Sequence, residues 1–144
     1  MNSKVYLTQT DTTIGLLSQD SNRLSVIKQR PLYKHYIRAT DSLSTLKHFT
    51  RIPKKYKNML RRSNKSTFIL KNGESFRVIH NLRHKALLKR MGGWAYSTSA
   101  NISGSTYDEN WARAVADEVI EPLNNNAMAS NIFRINNKTI KKIR

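Results

Sequence analysis

The stretch Trp94-Ala95-Tyr96-Ser97-Thr98-Ser99-Ala100-Asn101-Ile102-Ser103-Gly104 decides how this chain is read. Its first residues suit a buried strand, and the run then changes to small side chains carrying hydroxyls and one carboxamide. In extended backbone Ser99 and Asn101, two apart, point the same way. Taken alone, a serine-rich turn and a small polar site are equal readings of it.

Working outward, Leu82, Leu87, Leu88 and Met91 mark a helix that stops at Gly92-Gly93. Before it, Thr67 to Leu70 and Ser75 to Ile79 read as strands joined by the hairpin signal Asn72-Gly73. Pro53 suits the first turn of a helix with Tyr56, Met59 and Leu60 inward and Lys54, Lys55, Lys57, Arg61 and Arg62 outward. Asp41 or Ser42 caps a helix carrying Leu43, Leu46 and Phe49, and Tyr33 to Ala39 is β-prone. Ser21 or Asn22 caps another with Leu24, Val26 and Ile27, ending near Pro31. Val5 and Leu7 read as a short strand running into a polar loop.

Downstream, acids at its start and the spacing of Trp111, Ala112, Val115, Val119 and Ile120 predict one helix from Asp108 to Glu121, ended by Pro122. Two short strands follow, around Ile132-Phe133 and from Ile140 to Ile143. The expectation is an α/β fold: a single domain over residues 1–144, with a twisted, mixed, partly antiparallel sheet flanked by helices.

Charge is the strongest compositional signal. The 144 residues hold 26 Lys and Arg against 9 Asp and Glu, a net charge of +17. Between Arg23 and Arg90 there are 19 basic residues and only Asp41 and Glu74 as acids, 19 − 2 = 17, so this stretch carries the whole excess. A field of one sign on that scale attracts nucleotides, RNA or an acidic membrane face. A solubility surface normally mixes both signs. The absence of cysteine excludes disulfides, thiolate metal sites and cysteine catalysis. No apolar run nears the roughly 18 residues that cross a bilayer. Met1 to Val5 lack the layout of a signal peptide, and the expectation is a cytoplasmic protein with no membrane association.

Three further patches carry polar chemistry. Thr10-Asp11-Thr12-Thr13-Ile14-Gly15-Leu16 clusters hydroxyls beside a glycine, where a small polar substrate could approach the backbone. Lys28-Gln29-Arg30-Pro31 pairs a point charge with a planar fork, a combination suited to phosphate oxygens. Asn64-Lys65-Ser66-Thr67 opens a strand. His80 and His84 are four apart and could share a helical face, but a metal site is the minor reading. Trp94 and Trp111 fit a core better than a base-stacking platform.

In series, a strand leading into Thr-Asp-Thr-x-x-Gly-Leu, then Lys-x-Arg-Pro, a Thr-led apolar strand and Ser-Thr-Ser-Ala-Asn-x-Ser-Gly resembles the YrdC-like threonylcarbamoyl-AMP synthases. The resemblance runs from about Val5 to Arg144. It implies an L-threonylcarbamoyladenylate synthase, a nucleotidyltransferase using L-threonine, bicarbonate and ATP, with Mg²⁺ arriving on the ATP. It implies ATP binding by Lys28, Arg30, Lys34, Thr67, Asn101 and Arg144, and threonine binding by Thr12, Lys71, Ser99 and Ser130, with no catalytic nucleophile and no protein metal ligand. The product would pass to a partner threonylcarbamoyl transferase for modification of adenosine in tRNA, with RNA or tRNA met by the basic surface. The alternative it implies is a catalytically weak or inactive double-stranded RNA- or tRNA-binding protein on the same fold. Gln9 stands where the family has proline, Ile14 where tyrosine is common, Ser63-Asn64-Lys65 where it has Pro-Gly-Pro, and Arg77-Val78-Ile79 where it has Arg-x-Pro. As surface cations, Lys28 and Arg30 are expected to be replaceable without unfolding the protein.

Overall fold

The computed structural model describes residues 3–123, 131–136 and 138–143. Within these residues nine strands form one sheet: β1 (Tyr6–Gln9), β2 (Ile14–Ser18), β3 (Ile37–Thr40), β4 (Ser66–Ile69), β5 (Ser75–Val78), β6 (Trp94–Ser99), β7 (Glu118–Ile120), β8 (Asn131–Ile135) and β9 (Ile140–Lys142). Their order is β7-β1-β2-β6-β3-β5-β4-β8-β9. The pairs β1·β7, β3·β5 and β4·β8 are parallel and the other five antiparallel, so the sheet is mixed, as the sequence predicts.

Among the described residues five helices flank it: α1 (Ser21–Lys28), α2 (Leu43–Leu46), α3 (Lys57–Arg62), α4 (Leu82–Arg90) and α5 (Glu109–Val115), with a 3-10 turn at Lys54–Tyr56 leading into α3. The caps follow side-chain chemistry. Asp20 rather than Ser21 or Asn22 accepts the first free amide of α1, from Arg23, and Ser42 accepts that of Thr45 at α2. Asn72-Gly73 makes the predicted turn between β4 and β5: Gly73 has φ 86°, and Asn72 Oδ1 accepts the Glu74 amide at 3.0 Å.

Side-chain alternation gives the sheet two unlike faces. Phe68, Phe76 and Val78 turn to one face and pack with Leu43, Leu46, Tyr56 and Leu60 of the α2–α3 layer. On the same face Leu7, Ile14 and Leu16 meet Leu24 of α1 and Ala112 of α5. The other face is apolar beneath α4, where Leu87 and Leu88 cover Ala39, Ala95, Tyr6 and Leu17. Beyond α4 the same rows continue as Ser97 and Ser99 in β6, Ser75 and Arg77 in β5, and Thr67 in β4. A polar, half-open area of sheet results.

Two expectations are corrected. The patch Thr10 to Leu16, taken alone an ordinary turn after the first strand, gives way at Ile14 to strand β2, which runs to Ser18 and is buried at every position. Burial on both faces removes the alternation that announces a strand. The helix predicted from Asp108 to Glu121 ends at Val115, and Glu118–Ile120 is strand β7 alongside β1. Asp117 makes that turn: its carboxylate accepts the Val5 amide at 2.8 Å and is ion-paired with Arg23, drawing the chain to the edge of β1.

Gly15 allows the β1–β2 turn to press against β6. A Cβ there would lie 2.9 Å from Thr10 Cγ2 and 3.0 Å from the Thr98 carbonyl oxygen, a requirement for glycine set by space rather than by φ.

Candidate functional site

The uncovered part of the sheet forms the floor of a hollow of about 360 Å³. Three chain segments wall it: Thr10, Thr12 and Thr13 from the β1–β2 turn, Ser97 to Ser99 from the end of β6, and Arg30, His35 and Tyr36 from the α1–β3 connection. Ser75 and Arg77 complete the floor. Hydroxyls and guanidinium groups therefore converge from positions far apart in sequence.

Arg77 organises the floor. It is only 6% exposed. Its Nε and Nη2 donate to Thr67 Oγ1 at 3.1 and 2.8 Å, and its Nη1 donates to Asp11 Oδ1 and Thr12 Oγ1, both at 3.0 Å. Thr12 is thus held from below and from the side, since its amide also donates to Thr10 Oγ1 at 3.1 Å. Behind Asp11 sits His84, 1% exposed, with Nδ1 3.8 Å from Asp11 Oδ1, too far for a hydrogen bond. Burial is the largest cause pushing the His84 pKa down to about 4; Asp11 opposes that effect and Arg77 adds to it. His84 is therefore neutral at pH 7, and the Arg77–Asp11 pair is balanced.

Arg30 is placed by the end of α1. Gln29 takes up a left-handed conformation at φ 54°, and the Arg30 amide donates back to Ser25 O at 2.9 Å. Its guanidinium lies 4.6 Å from the Tyr36 ring centroid and donates to His35 O at 2.8 Å, while Nε has no protein partner among the described residues. No ion pair among the described residues neutralises Arg30, so its charge is available to an anion in the hollow.

Lys28 corrects the expectation of a surface cation. It is 2% exposed, and its Nζ donates to the carbonyls of Ser99 and Asn101 at 2.7 and 2.8 Å. It laces α1 to the loop after β6 and does not line the hollow. Burial, then the charge of Arg30, lowers its pKa to about 8, which leaves it mostly charged at pH 7. Lys28→Met is expected to lower stability by about 1–2 kcal/mol, the cost of two lost charge-assisted hydrogen bonds partly offset by better packing. Urea unfolding of the two proteins measures it.

The remaining predicted residues divide. Ser99 lines the hollow and bonds to Asn101 Oδ1, while Asn101 Nδ2 donates to Ile102 O and Ser105 O at 3.0 and 2.7 Å, fixing the loop that carries both. Thr67 lies beneath Arg77, 2% exposed. Lys34 lines a smaller adjoining hollow of about 140 Å³, together with Tyr33, Arg38 and Tyr96, and the two hollows share His35, Tyr36 and Ser75. Lys71 stands outside both, exposed at the turn between β4 and β5. Ser130 and Arg144 lie outside the described residues. Arg77 and Ser75 are contributors to which the sequence reading assigned no role, and Ser97 joins them from within the quoted hydroxyl-rich motif. Alternation in Ser75-Phe76-Arg77-Val78 is the signal that could have found them, because Phe76 and Val78 facing the core oblige Ser75 and Arg77 to face the other way.

Geometry and charge together define a class: an α/β protein with a hydroxyl-rich, cationic hollow on an open sheet face, suited to a small anionic ligand. No protein-family model matches the sequence. The uncharacterised protein MG259 of Mycoplasma genitalium is 38% identical over 99 residues, covering 67% of this chain and 20% of that protein. The chain thus spans about a fifth of that relative's length. Among solved structures, P. abyssi Sua5 complexed with L-threonine matches with a TM-score of 0.82 at 19% identity, over 99% of this chain and 50% of that one. E. coli YciO matches with a TM-score of 0.74 at 20% identity, over 99% and 82%. Full-length HypF in its phosphate- and nucleotide-bound form matches with a TM-score of 0.76 at 15% identity, over 99% and 27%. The chain has the YrdC-like fold shared by these Sua5/YrdC proteins.

Proposed function

We propose that this chain is an L-threonylcarbamoyladenylate synthase, condensing L-threonine, bicarbonate and ATP with release of pyrophosphate. The observation that supports this most is the convergence of Thr12, Arg30 and Ser99 on one hollow. The structural neighbours add chemistry of the right kind: Sua5 is described with L-threonine, and HypF with phosphate and a nucleotide.

In this reading the threonine amine takes up bicarbonate as a carbamate with loss of water. A carbamate oxygen attacks the α-phosphorus of ATP, and the bond to the β-phosphate oxygen breaks to release pyrophosphate. Such a step needs alignment and charge compensation rather than a covalent nucleophile. Thr12 and Ser99 hold the amino acid, Arg30 meets the phosphate charge, and Asn101 keeps Ser99 in place. Lys34 borders the nucleotide from the adjoining hollow. Mg²⁺ enters as part of the MgATP substrate. Asp11, beside the hollow, is already engaged by Arg77, which suits a metal carried by phosphates and water. The product would serve threonylcarbamoyl transfer to tRNA adenosine through a partner transferase, and the proposal places the reaction in the cytoplasm.

The test is pyrophosphate release on mixing the protein with threonine, bicarbonate and ATP, each component omitted in turn. Release that requires all three supports the reading; no release, with no binding of ATP by calorimetry, removes it. Arg30→Ala is expected to weaken ATP binding at least about tenfold, the loss of a charge-assisted contact, while unfolding stability changes by less than about 1 kcal/mol. Unchanged affinity would take Arg30 out of the site.

A further inference from the structure

Arg38 is a cation that the larger hollow does not use. It stands in β3 on the face that carries Phe76 and Tyr96, its direct cross-strand neighbours in β5 and β6. Its guanidinium carbon lies 4.3, 5.7, 5.1 and 5.0 Å from the ring centroids of Phe49, Phe76, Trp94 and Tyr96. The rings hold the cation in place through their quadrupoles, but none supplies a counter-charge. Among the described residues Arg38 has no ion pair, and its Nε, shut off from solvent, has no partner. A cation so placed is costly until an anion meets it.

Two donors are left for that anion. Nη2 donates to Tyr96 Oη at 2.6 Å, so the proton of the phenol is left to be given elsewhere. Nη1 has no partner among the described residues, yet it is not shut off from solvent as Nε is. Arg38 and Tyr96 both line the smaller hollow of about 140 Å³, with Lys34 and Glu74 at its walls. Glu74 does not neutralise Arg38: no ion pair joins them, and its carboxylate accepts from Asn72 Nδ2 at 3.3 Å.

We infer that this smaller hollow binds a small planar monoanion, bicarbonate or a short carboxylate, through Arg38 Nη1 and Tyr96 Oη. Its volume is roughly four or five waters' share of the liquid, room for an ion of three or four heavy atoms and not for a nucleoside. Arg38 and Lys34 exceed Glu74 by 2 − 1 = 1 charge, so one negative charge is compensated and a second is not. An O–C–O edge accepts two donors side by side, and the surrounding rings keep water from competing for them. The site bears on the larger hollow too. The Tyr36 ring and the His35 carbonyl that hold Arg30 belong to the wall the two hollows share, so an anion here steadies Arg30.

The inference does not rest on the synthase reading. Heteronuclear NMR of the isotope-labelled protein tests it, following Arg38 Nε–H and the Trp94 indole N–H. Chloride is exchanged for formate, acetate, bicarbonate or phosphate at constant ionic strength. The planar ions are expected to give saturable shifts with half-saturation at about 1–10 mM, the strength that three or four heavy atoms can supply. Tyr96→Phe keeps the ring and loses the hydroxyl, and should weaken binding about threefold to tenfold. Arg38→Met should abolish the shift at Trp94. Bicarbonate binding more tightly than formate and acetate identifies the occupant as bicarbonate, the reverse order identifies it as a carboxylate, and either supports the inference. No saturation below about 100 mM in the parent protein overturns it. So does phosphate binding as tightly as the planar ions, a shift at Arg30 Nε–H in place of Arg38, or unchanged affinity in Tyr96→Phe. Neither ATP nor threonine enters the test, so the two proposals fail separately.

Discussion

Arg77→Met is expected to lower the unfolding free energy by about 3–5 kcal/mol, the largest effect of any single substitution discussed. The reason is what remains afterwards. Asp11 keeps its carboxylate in a buried position, and Oδ2 already has no protein partner among the described residues. Removing the guanidinium also strips Oδ1 of its 3.0 Å donor and leaves Thr67 Oγ1 and Thr12 Oγ1 without their shared one. The double variant Arg77→Met/Asp11→Asn should therefore be more stable than Arg77→Met by about 2 kcal/mol, since a neutral amide is cheaper to bury than an unpaired charge. Urea unfolding of the parent, the single variants and the double completes the cycle. Strict additivity would mean that the two groups do not interact.

Acidification acts on the same cluster through His84. Its pKa is about 4 in the fold against an ordinary 6.5, so unfolding takes up a proton anywhere between those values. Stability attributable to neutral burial is complete above pH 6.5 and is lost as the pH falls towards 4. The gap corresponds to on the order of 3 kcal/mol. Because carboxylates also titrate in acid, the informative quantity is a difference: between pH 7 and pH 4 the parent should lose about that much more stability than His84→Leu. Parallel pH profiles for the two proteins would show that His84 is hydrated or already charged in the fold.

What could be read from sequence follows the range of the interactions concerned. The turn at Asn72-Gly73 depends on local chemistry and falls where the residues place it. Thr12, Arg30 and Ser99 were found as motif members, and the fold brings all three to one hollow. Lys28 was read as a surface cation because the chain around it is basic. Only the approach of the loop after β6, more than 70 positions later, buries it. The Arg77–Asp11 pair spans 66 positions and leaves no local trace. Strand β7 stayed hidden because Val119 and Ile120 satisfy a helical period as well as a strand. Leu82 shows the converse error: it fits the apolar pattern of α4 yet is 82% exposed at the first turn.

The lacing at Lys28 has a mechanical meaning for the hollow. Its ammonium ties the carbonyl of Ser99 at the end of β6 to that of Asn101 in the loop beyond, and its own carbonyl accepts the Ser103 amide from that loop at 3.2 Å. Two residues further along the chain, Arg30 leaves α1 for the opposite wall. The jaw bearing the guanidinium and the jaw bearing the serines are therefore yoked, like two leaves pinned on one hinge barrel. A ligand that grips either one restrains both, and loosening the pin would widen the bite without touching a single contact surface.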